Sequence, residues 1–194
     1  MVVRLCPPVV AFLLGLACSG PAPPAVALVA AERDFAELVA RAEQVVEGTV
    51  TEVREEPDAS GVQRTLVVLV DLVVLKGQVG GDRFTLDLAG GSKQGRRAAI
   101  LDLPEFRPGE RYVLFVAGNG RAVCPLVGVW QGAFRVVRDQ QRGVDVVVTY
   151  GGEPVTGKHG RRLLRRSSDR ESGPALTVQE FRNLVSEEIA RPSP

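Results

Sequence analysis

The sequence predicts a mainly β protein, a small closed barrel with one helix before its strands and one after them. Residues 65–77 are β-branched and leucine-rich on both alternating faces, apart from Asp71, which predicts a central strand covered on both sides. Several shorter runs alternate between apolar and polar residues and are separated by glycine-rich turns, whereas helical periodicity occurs only near the two ends. We therefore expect an OB-like barrel of about five to six strands, with a β-sandwich as the alternative.

The barrel domain is expected to occupy residues 32–150. It begins with a short helix that Asp34 caps, and Glu37 is placed to complete the capping box. The first strand, near Val45, has a polar face that includes Glu47. Further strands are predicted at 65–77, 84–88, 112–116, 129–137 and 144–150. Trp130, Phe134 and Val136 share one face of the strand at 129–137, so we expect the indole to fill the barrel interior.

The chain after residue 150 predicts a linker followed by a helix. Residues 151–175 are rich in glycine, proline, serine and arginine, which is typical of a basic flexible linker. Thr177 and Glu180 form a capping box at the start of an amphipathic helix, so we expect a C-terminal helix over 176–191. The sequence leaves open whether this helix packs on the barrel.

Residues 1–27 are typical of an export signal. The apolar run at 9–17 is too short to span a bilayer, and an A-x-A pattern at 25–27 predicts cleavage after Ala27. Alternatively, residues 16–19 resemble a lipoprotein signal that ends before Cys18, which would then carry the lipid. Both interpretations predict an exported protein, in the periplasm or outside the cell. The second adds a lipid anchor in the outer membrane.

The charge balance and the cysteine content exclude some functional classes. The chain has 24 lysine and arginine residues against 23 aspartate and glutamate residues, which argues against binding of nucleic acid over the whole surface. Within the barrel domain Cys124 is the single cysteine, so no disulfide framework supports the fold unless it pairs with Cys18. We expect Cys124 to behave as a small buried hydrophobe.

We predict no catalytic residue, no cofactor and no metal site. The single histidine, His159, lies in the basic segment, and the chain contains neither an H-E-x-x-H nor a C-x-x-C motif. Asp102, Glu105 and Glu110 surround a proline-rich corner and carry the less favoured hypothesis of a hydrolase, which would need two carboxylates in one cleft. Asp71 interrupts the apolar central strand, so it should face solvent or pair with an arginine such as Arg111 or Arg135.

One concentrated run of positive charge lies within the predicted linker. It comprises Lys158, Arg161, Arg162, Arg165 and Arg166, which are candidates for contact with an anionic membrane surface. A solvated linker is the alternative interpretation of the same run. No aromatic residue is interleaved with these cations, which argues against binding of single-stranded nucleic acid.

An ordered set of short motifs extends across residues 34–150. It includes Glu37-Leu38-Val39, Leu75-Lys76-Gly77, Pro104-x-Phe106, Gly109 to Phe115, Val127-Gly128 and Gln131-Gly132-x-Phe134. The set resembles a family of uncharacterised exported bacterial proteins with an OB-like domain, distantly similar to the N-terminal domain of tissue inhibitors of metalloproteinases. The family has no established activity, so no residue inherits a role. The similarity to the inhibitors implies a further function, in which the unlipidated amine of Cys18 would meet the zinc of a protease.

Together these features predict an exported, non-catalytic binding module of the bacterial envelope or secretome. We expect its partner to be another exported protein, recognised by loops near 90–95 and 103–109. Inhibition of a co-exported metalloprotease is the alternative function.

Overall fold

The computed structural model describes residues 32–90, 92–93, 96–97, 103–165 and 173–191. The protein is mainly β with two helices, as the sequence predicts. The helices are α1 (Phe35–Arg41) and α2 (Val178–Ala190), and a 3-10 turn covers Val129–Gly132. The strands are β1 (Gln44–Pro57), β2 (Gln63–Lys76), β3 (Phe84–Ala89), β4 (Ser92–Lys93), β5 (Arg96–Arg97), β6 (Arg111–Val116), β7 (Ala133–Asp139), β8 (Val144–Thr149), β9 (Val155–His159) and β10 (Arg162–Arg165).

Six strands form one antiparallel sheet in the order β3-β2-β1-β6-β7-β8. Two further antiparallel pairs, β9 with β10 and β4 with β5, complete the strand pairing of the described residues. Within the described ranges no hydrogen-bonded ladder joins β3 to β7 or β8, so a closed barrel is not seen there. The long strand β1 is central, because its first half pairs with both β2 and β6.

The sheet has an apolar core on each face. Successive residues of β1 divide between them, since Val45 belongs to one core and Val46 to the other. The first core lies under the helices, where Phe35 of α1 and Phe181 of α2 pack with Phe115 of β6. The second core joins β2 and β3 to β6 and β7 on the opposite face. The predicted two-sided covering therefore holds for Val67 to Leu69 of β2, whereas Val74 is 41% exposed.

A β-bulge explains the charged residue in the central strand. The register between β1 and β2 passes from Glu47 opposite Val73 to Thr49 opposite Val70, so Gly48 alone faces two residues. Asp71 is one of these two, with a φ of 53°. Glycine is favoured at position 48, because an added Cβ would lie 3.0 Å from the Val70 carbonyl oxygen and 2.9 Å from Cδ2 of Leu72. The bulge places Asp71 at the exposed surface.

Both outer edges of the large sheet are occupied by other parts of the chain. The side-chain amide of Asn119 imitates a neighbouring strand against β3, because its Oδ1 accepts from the Asp87 N–H at 2.9 Å and its Nδ2 donates to the Thr85 carbonyl at 2.7 Å. On β8, the Val147 N–H donates to the Leu176 carbonyl at 2.9 Å. Such coverage protects a sheet from pairing with other chains.

The prediction of a flexible linker is wrong for the described part of 151–175. Residues 155–165 form the β9–β10 hairpin, and Val155 is completely buried in the core under the helices. The hairpin is ordered because its apolar residues, Val155 and Leu163, pack against that core. The predicted domain boundary at residue 150 therefore divides a single packed unit.

Helix α2 packs on the sheet, a point that the sequence left open. Its predicted capping box is present, since Thr177 and Glu180 exchange side-chain and backbone hydrogen bonds. Phe181 and Val185 are completely buried in the core. Neither of the two helices in the described ranges is long and apolar enough to cross a bilayer.

Candidate binding surface around Trp130

The turn that carries Trp130 is held in a tight, strained conformation. Gly128 has a φ of 68° and Val129 a φ of 59°, and a β-branched residue rarely adopts this left-handed region. Gly132 ends the turn where a Cβ would lie 2.5 Å from the Val127 carbonyl oxygen, so only glycine fits. Gln131 fixes the turn to the chain before α1, because its Oε1 accepts from the Arg33 N–H at 2.8 Å. Strain of this kind is often found at functional sites.

Trp130 lies at the surface, with 42% of its area exposed. The prediction that its indole fills a barrel interior is therefore wrong. The predicted strand at 129–137 begins only at Ala133, and the 3-10 turn before it separates Trp130 from the face that Phe134 occupies. Its immediate neighbours in the turn are fixed by packing or hydrogen bonding, whereas the indole itself remains available for contact.

Trp130 borders two depressions of the surface. The first has an apolar floor of Phe35, Leu38, Ala133, Phe134 and Leu163, and a charged rim that includes Arg33, Arg162 and Arg165. The second is lined by Leu103, Glu105, Thr149, Tyr150, Gly151, Glu153 and Arg165. Trp130, Thr149 and Arg165 belong to both linings, so the two depressions form one continuous surface. We call it the Trp130 surface.

The predicted corner at 103–110 contributes to this surface through its first part. Leu103 and Glu105 lie in the second depression, and the Glu105 N–H donates to the Tyr150 hydroxyl at 2.7 Å. Phe106 turns inward and packs on Tyr112 with a centroid separation of 4.9 Å. Of the predicted loop at 90–95, residues 91 and 94–95 lie outside the described residues.

The structure divides the predicted basic run into separate environments. Lys158 is not available to a membrane, because its side chain is only 9% exposed and pairs with the equally buried Glu188. Its Nζ also lies 5.7 Å from the centroid of the Phe35 ring. The candidate role of Lys158 in contacting an anionic surface is therefore wrong. Arg166, like the proposed lipidation site Cys18, lies outside the described residues.

The other three cations of the run lie next to carboxylates near the start of α1. Arg161 Nε is 2.9 Å from Asp34 Oδ2, and this hydrogen bond is the main cause that lowers the pKa of the Asp34 carboxyl. Arg162 and Arg165 each place an Nη2 atom 3.1 Å from the same oxygen, Oε1 of Glu32. The predicted contact of these three arginines with an anionic membrane remains a prediction.

The carboxylates of the hydrolase hypothesis do not meet in the described residues. Glu105 lines the second depression, whereas Glu110 lines a different one beside Arg111 and Arg135. Glu110 also accepts a hydrogen bond from the Tyr112 hydroxyl. Burial and this hydrogen bond raise the pKa of Tyr112. Asp102, the third candidate, lies outside the described residues.

The remaining chemically interesting side chains have structural surroundings. His159 is exposed at the end of β9, and the free Cys124 is partly buried beside the second core. Burial raises the pKa of the Cys124 thiol, which disfavours a reactive thiolate. In the described ranges no three histidine, cysteine, aspartate or glutamate side chains are arranged to hold a metal ion.

A buried ion pair network was missed by the sequence analysis. Glu47, predicted on a polar face, is completely buried and accepts hydrogen bonds from Arg182 of α2 and Arg111 of β6. Arg111 also pairs with Asp145, so the suggested pairing of Arg111 with Asp71 is wrong. No local pattern could reveal the contact, because Glu47 and Arg182 are separated by 135 residues.

Comparison of the chain with protein-family models, with curated proteins and with solved structures found no match.

Proposed function

We propose that this protein is a non-catalytic binding module that holds another exported protein at the Trp130 surface. The observation that carries the proposal is the exposed indole of Trp130 on a turn that packing and hydrogen bonds hold in place. Burying such a side chain against a partner removes a large apolar area from water without a large cost in conformational entropy. The fixed turn means that this residue is already in position before the partner arrives.

The composition of the surface supports a protein partner. Trp130, Tyr150 and Arg165 represent the three residue types that most often dominate the binding energy of protein interfaces. They lie beside an apolar depression and are surrounded by charged residues, which is the usual arrangement of an interface core and its rim. Addition of a partner strand to β3 or β8 is disfavoured, since both edges are already hydrogen-bonded.

We also propose that the sheet belongs to an OB-like barrel. Leu86 of β3 and Ala133 of β7 belong to the same apolar core, although no ladder connects their strands in the described residues. This shared packing supports a sheet that curls towards closure. We keep three further proposals from the sequence: membership of the exported OB-like family, export through residues 1–27, and lipid attachment at Cys18. Inhibition of a metalloprotease depends on Cys18 and remains a prediction of the resemblance.

The proposal can be tested by affinity capture with matched variants. The purified protein, Trp130→Ala and Val123→Ala would each be immobilised and exposed to the periplasmic and secreted proteins of the source bacterium. Val123 is a suitable control because it is an exposed apolar residue, 52% exposed, that lines neither depression. We expect a protein that the wild type and Val123→Ala retain and that Trp130→Ala loses. The same proteins retained by all three would refute the proposed site.

A further inference from the structure

We infer that the partner presents a segment in which an apolar side chain is followed closely by a carboxylate. The apolar side chain packs against Trp130 at the edge of the first depression, and the carboxylate replaces Glu32 between Arg162 and Arg165. This inference rests on the proposed function and specifies the chemistry of the partner.

The positions of Arg162 and Arg165 support the carboxylate. Both guanidinium groups lie on β10 and point to one oxygen, Oε1 of Glu32, at 3.1 Å each. A carboxylate has two oxygens that can each accept several hydrogen bonds, and two guanidinium groups offer ten N–H donors. Glu32 therefore uses only part of the binding capacity of this pair of arginines. A carboxylate that approaches from outside could use both of its oxygens.

Glu32 is the carboxylate that a partner can displace. Its side chain is 63% exposed, and it lies in irregular backbone three residues before α1. An ion pair this exposed contributes little to stability, so its exchange for another carboxylate has a small cost. Glu32 thus occupies the place of the partner's carboxylate in the free protein.

The other charges at the rim have different partners. Asp34 caps α1 and pairs with Arg161, and Glu37 pairs with Arg33 and Arg41. Glu153 is a further neighbour of Arg165, but the separation is 3.8 Å. Of the charged positions at this rim, the pair formed by Arg162 and Arg165 is consequently the one where an incoming anion would bind most favourably.

The first depression supports the apolar side chain. Its floor consists of core residues, among them Phe35 and Phe134, that are otherwise almost fully buried. That floor is almost fully covered, so a partner side chain packs mainly against the accessible apolar atoms of Trp130 and of the partly buried Leu163. A partner residue of this type gains hydrophobic burial, whereas a charged side chain would be desolvated without a partner.

The test uses a phage-displayed library of random peptides that is selected on the folded protein and counter-selected on Trp130→Ala. Synthetic versions of the selected peptides, lacking tryptophan, would then be titrated into the wild type. Trp130 is the only tryptophan of the chain, so its fluorescence reports directly on this surface. Each acidic peptide would be compared with its carboxamide analogue.

We expect the selected peptides to share an apolar residue close to an aspartate or glutamate. The carboxamide analogue should bind about 5–10-fold more weakly, and Arg165→Gln should weaken the acidic peptide by about 2–5-fold. Glu32→Gln removes the internal competitor and should tighten binding by about 2–5-fold. Arg54→Gln, which removes an equal charge from a residue lining neither depression, should leave the affinity unchanged.

Two outcomes would overturn the inference. Trp130-dependent peptides that bind equally well as carboxamides would refute the carboxylate and leave the proposed binding function intact. Failure to select any Trp130-dependent peptide would refute the inference as a whole. The capture experiment described above would then decide the proposed function independently.

Discussion

Replacing Glu47 with glutamine keeps the size of the side chain and removes one negative charge from beneath α2. The Glu47 side chain is only 1% exposed. Its Oε2 accepts from Arg182 Nε at 2.8 Å and its Oε1 from Arg182 Nη2 at 2.9 Å. Arg111 Nη2 donates to the same Oε1. A glutamine would place an NH2 group, itself a donor, against one of these guanidinium groups.

The expected loss of stability follows from the exposure of the two arginines that pair with Glu47. Removing one member of a buried ion pair typically costs about 3–5 kcal/mol. The Arg182 and Arg111 side chains are 23% and 33% exposed, so water can partly solvate them after the change. We therefore expect Glu47→Gln to lower the free energy of unfolding by about 2–4 kcal/mol. Urea unfolding followed by far-UV circular dichroism at neutral pH would measure it.

A control on the same strand and a double-mutant cycle make this test specific. Glu52 also lies on β1, but it is 51% exposed and pairs with Arg54 at 3.3 Å, so Glu52→Gln should change the stability by less than about 0.5 kcal/mol. Combining Glu47→Gln with Arg182→Gln should give a coupling energy above about 1 kcal/mol. Equal effects of Glu47→Gln and Glu52→Gln, or a coupling near zero, would show that apolar packing alone holds α2.

Three further predictions follow from the packing and the helix caps. Trp130→Ala should lower the free energy of unfolding by less than about 1 kcal/mol in urea titrations, because the indole is 42% exposed. Phe181→Ala should lower it by about 3–5 kcal/mol, because the Phe181 ring is completely buried. Gly132→Ala should lower the free energy of unfolding by about 2–4 kcal/mol in the same measurement, because its Cβ would lie 2.5 Å from a carbonyl oxygen. Gly80→Ala is the control and should be nearly neutral, because its Cβ would have no atom within 4 Å. The backbone hydrogen bond from Thr177 lowers the pKa of the Glu180 carboxyl below its ordinary 4.5. The ionised carboxylate therefore stabilises the folded state fully above pH 4.5, and this stabilisation is lost as the pH falls through the lower pKa of the folded protein. Glu180→Gln should therefore flatten the fall in melting temperature on acidification, and an unchanged acid limb would contradict the cap.

The local parts of the fold could be predicted because their causes lie close together in the sequence. The cap of α1 forms as expected, with the Glu37 N–H donating to Asp34 Oδ1 at 2.7 Å. The capping box of α2 forms between Thr177 and Glu180 in the same way. The mainly β class follows from alternation within single strands. Each of these signals extends over only a few residues.

The features that define the Trp130 surface could not be predicted in this way. The alternation of apolar and polar residues predicted that Trp130 lies on a strand. Such a pattern gives no sign of the tight turn that Gly128 and Gly132 allow. The composition of 151–175 indicated a linker, because Val155 and Leu163 are too few to outweigh the surrounding glycine and arginine. Their burial depends on packing in the core under α1 and α2, two helices that lie outside this hairpin. Tertiary packing therefore decided both positions.

Three separate parts of the chain supply most of the lining of the first depression, and side-chain contacts join these parts to one another. The turn at Trp130 is joined to the start of α1 through Gln131 and Arg33, and the β9–β10 hairpin is joined to α1 through Arg161 and Asp34. The hairpin is in turn fixed to α2 by the buried pair of Lys158 and Glu188. Separating any of these parts would disperse the residues that line the first depression. If the Trp130 surface binds the proposed partner, these converging contacts hold it in place before binding, which lowers the conformational cost of association.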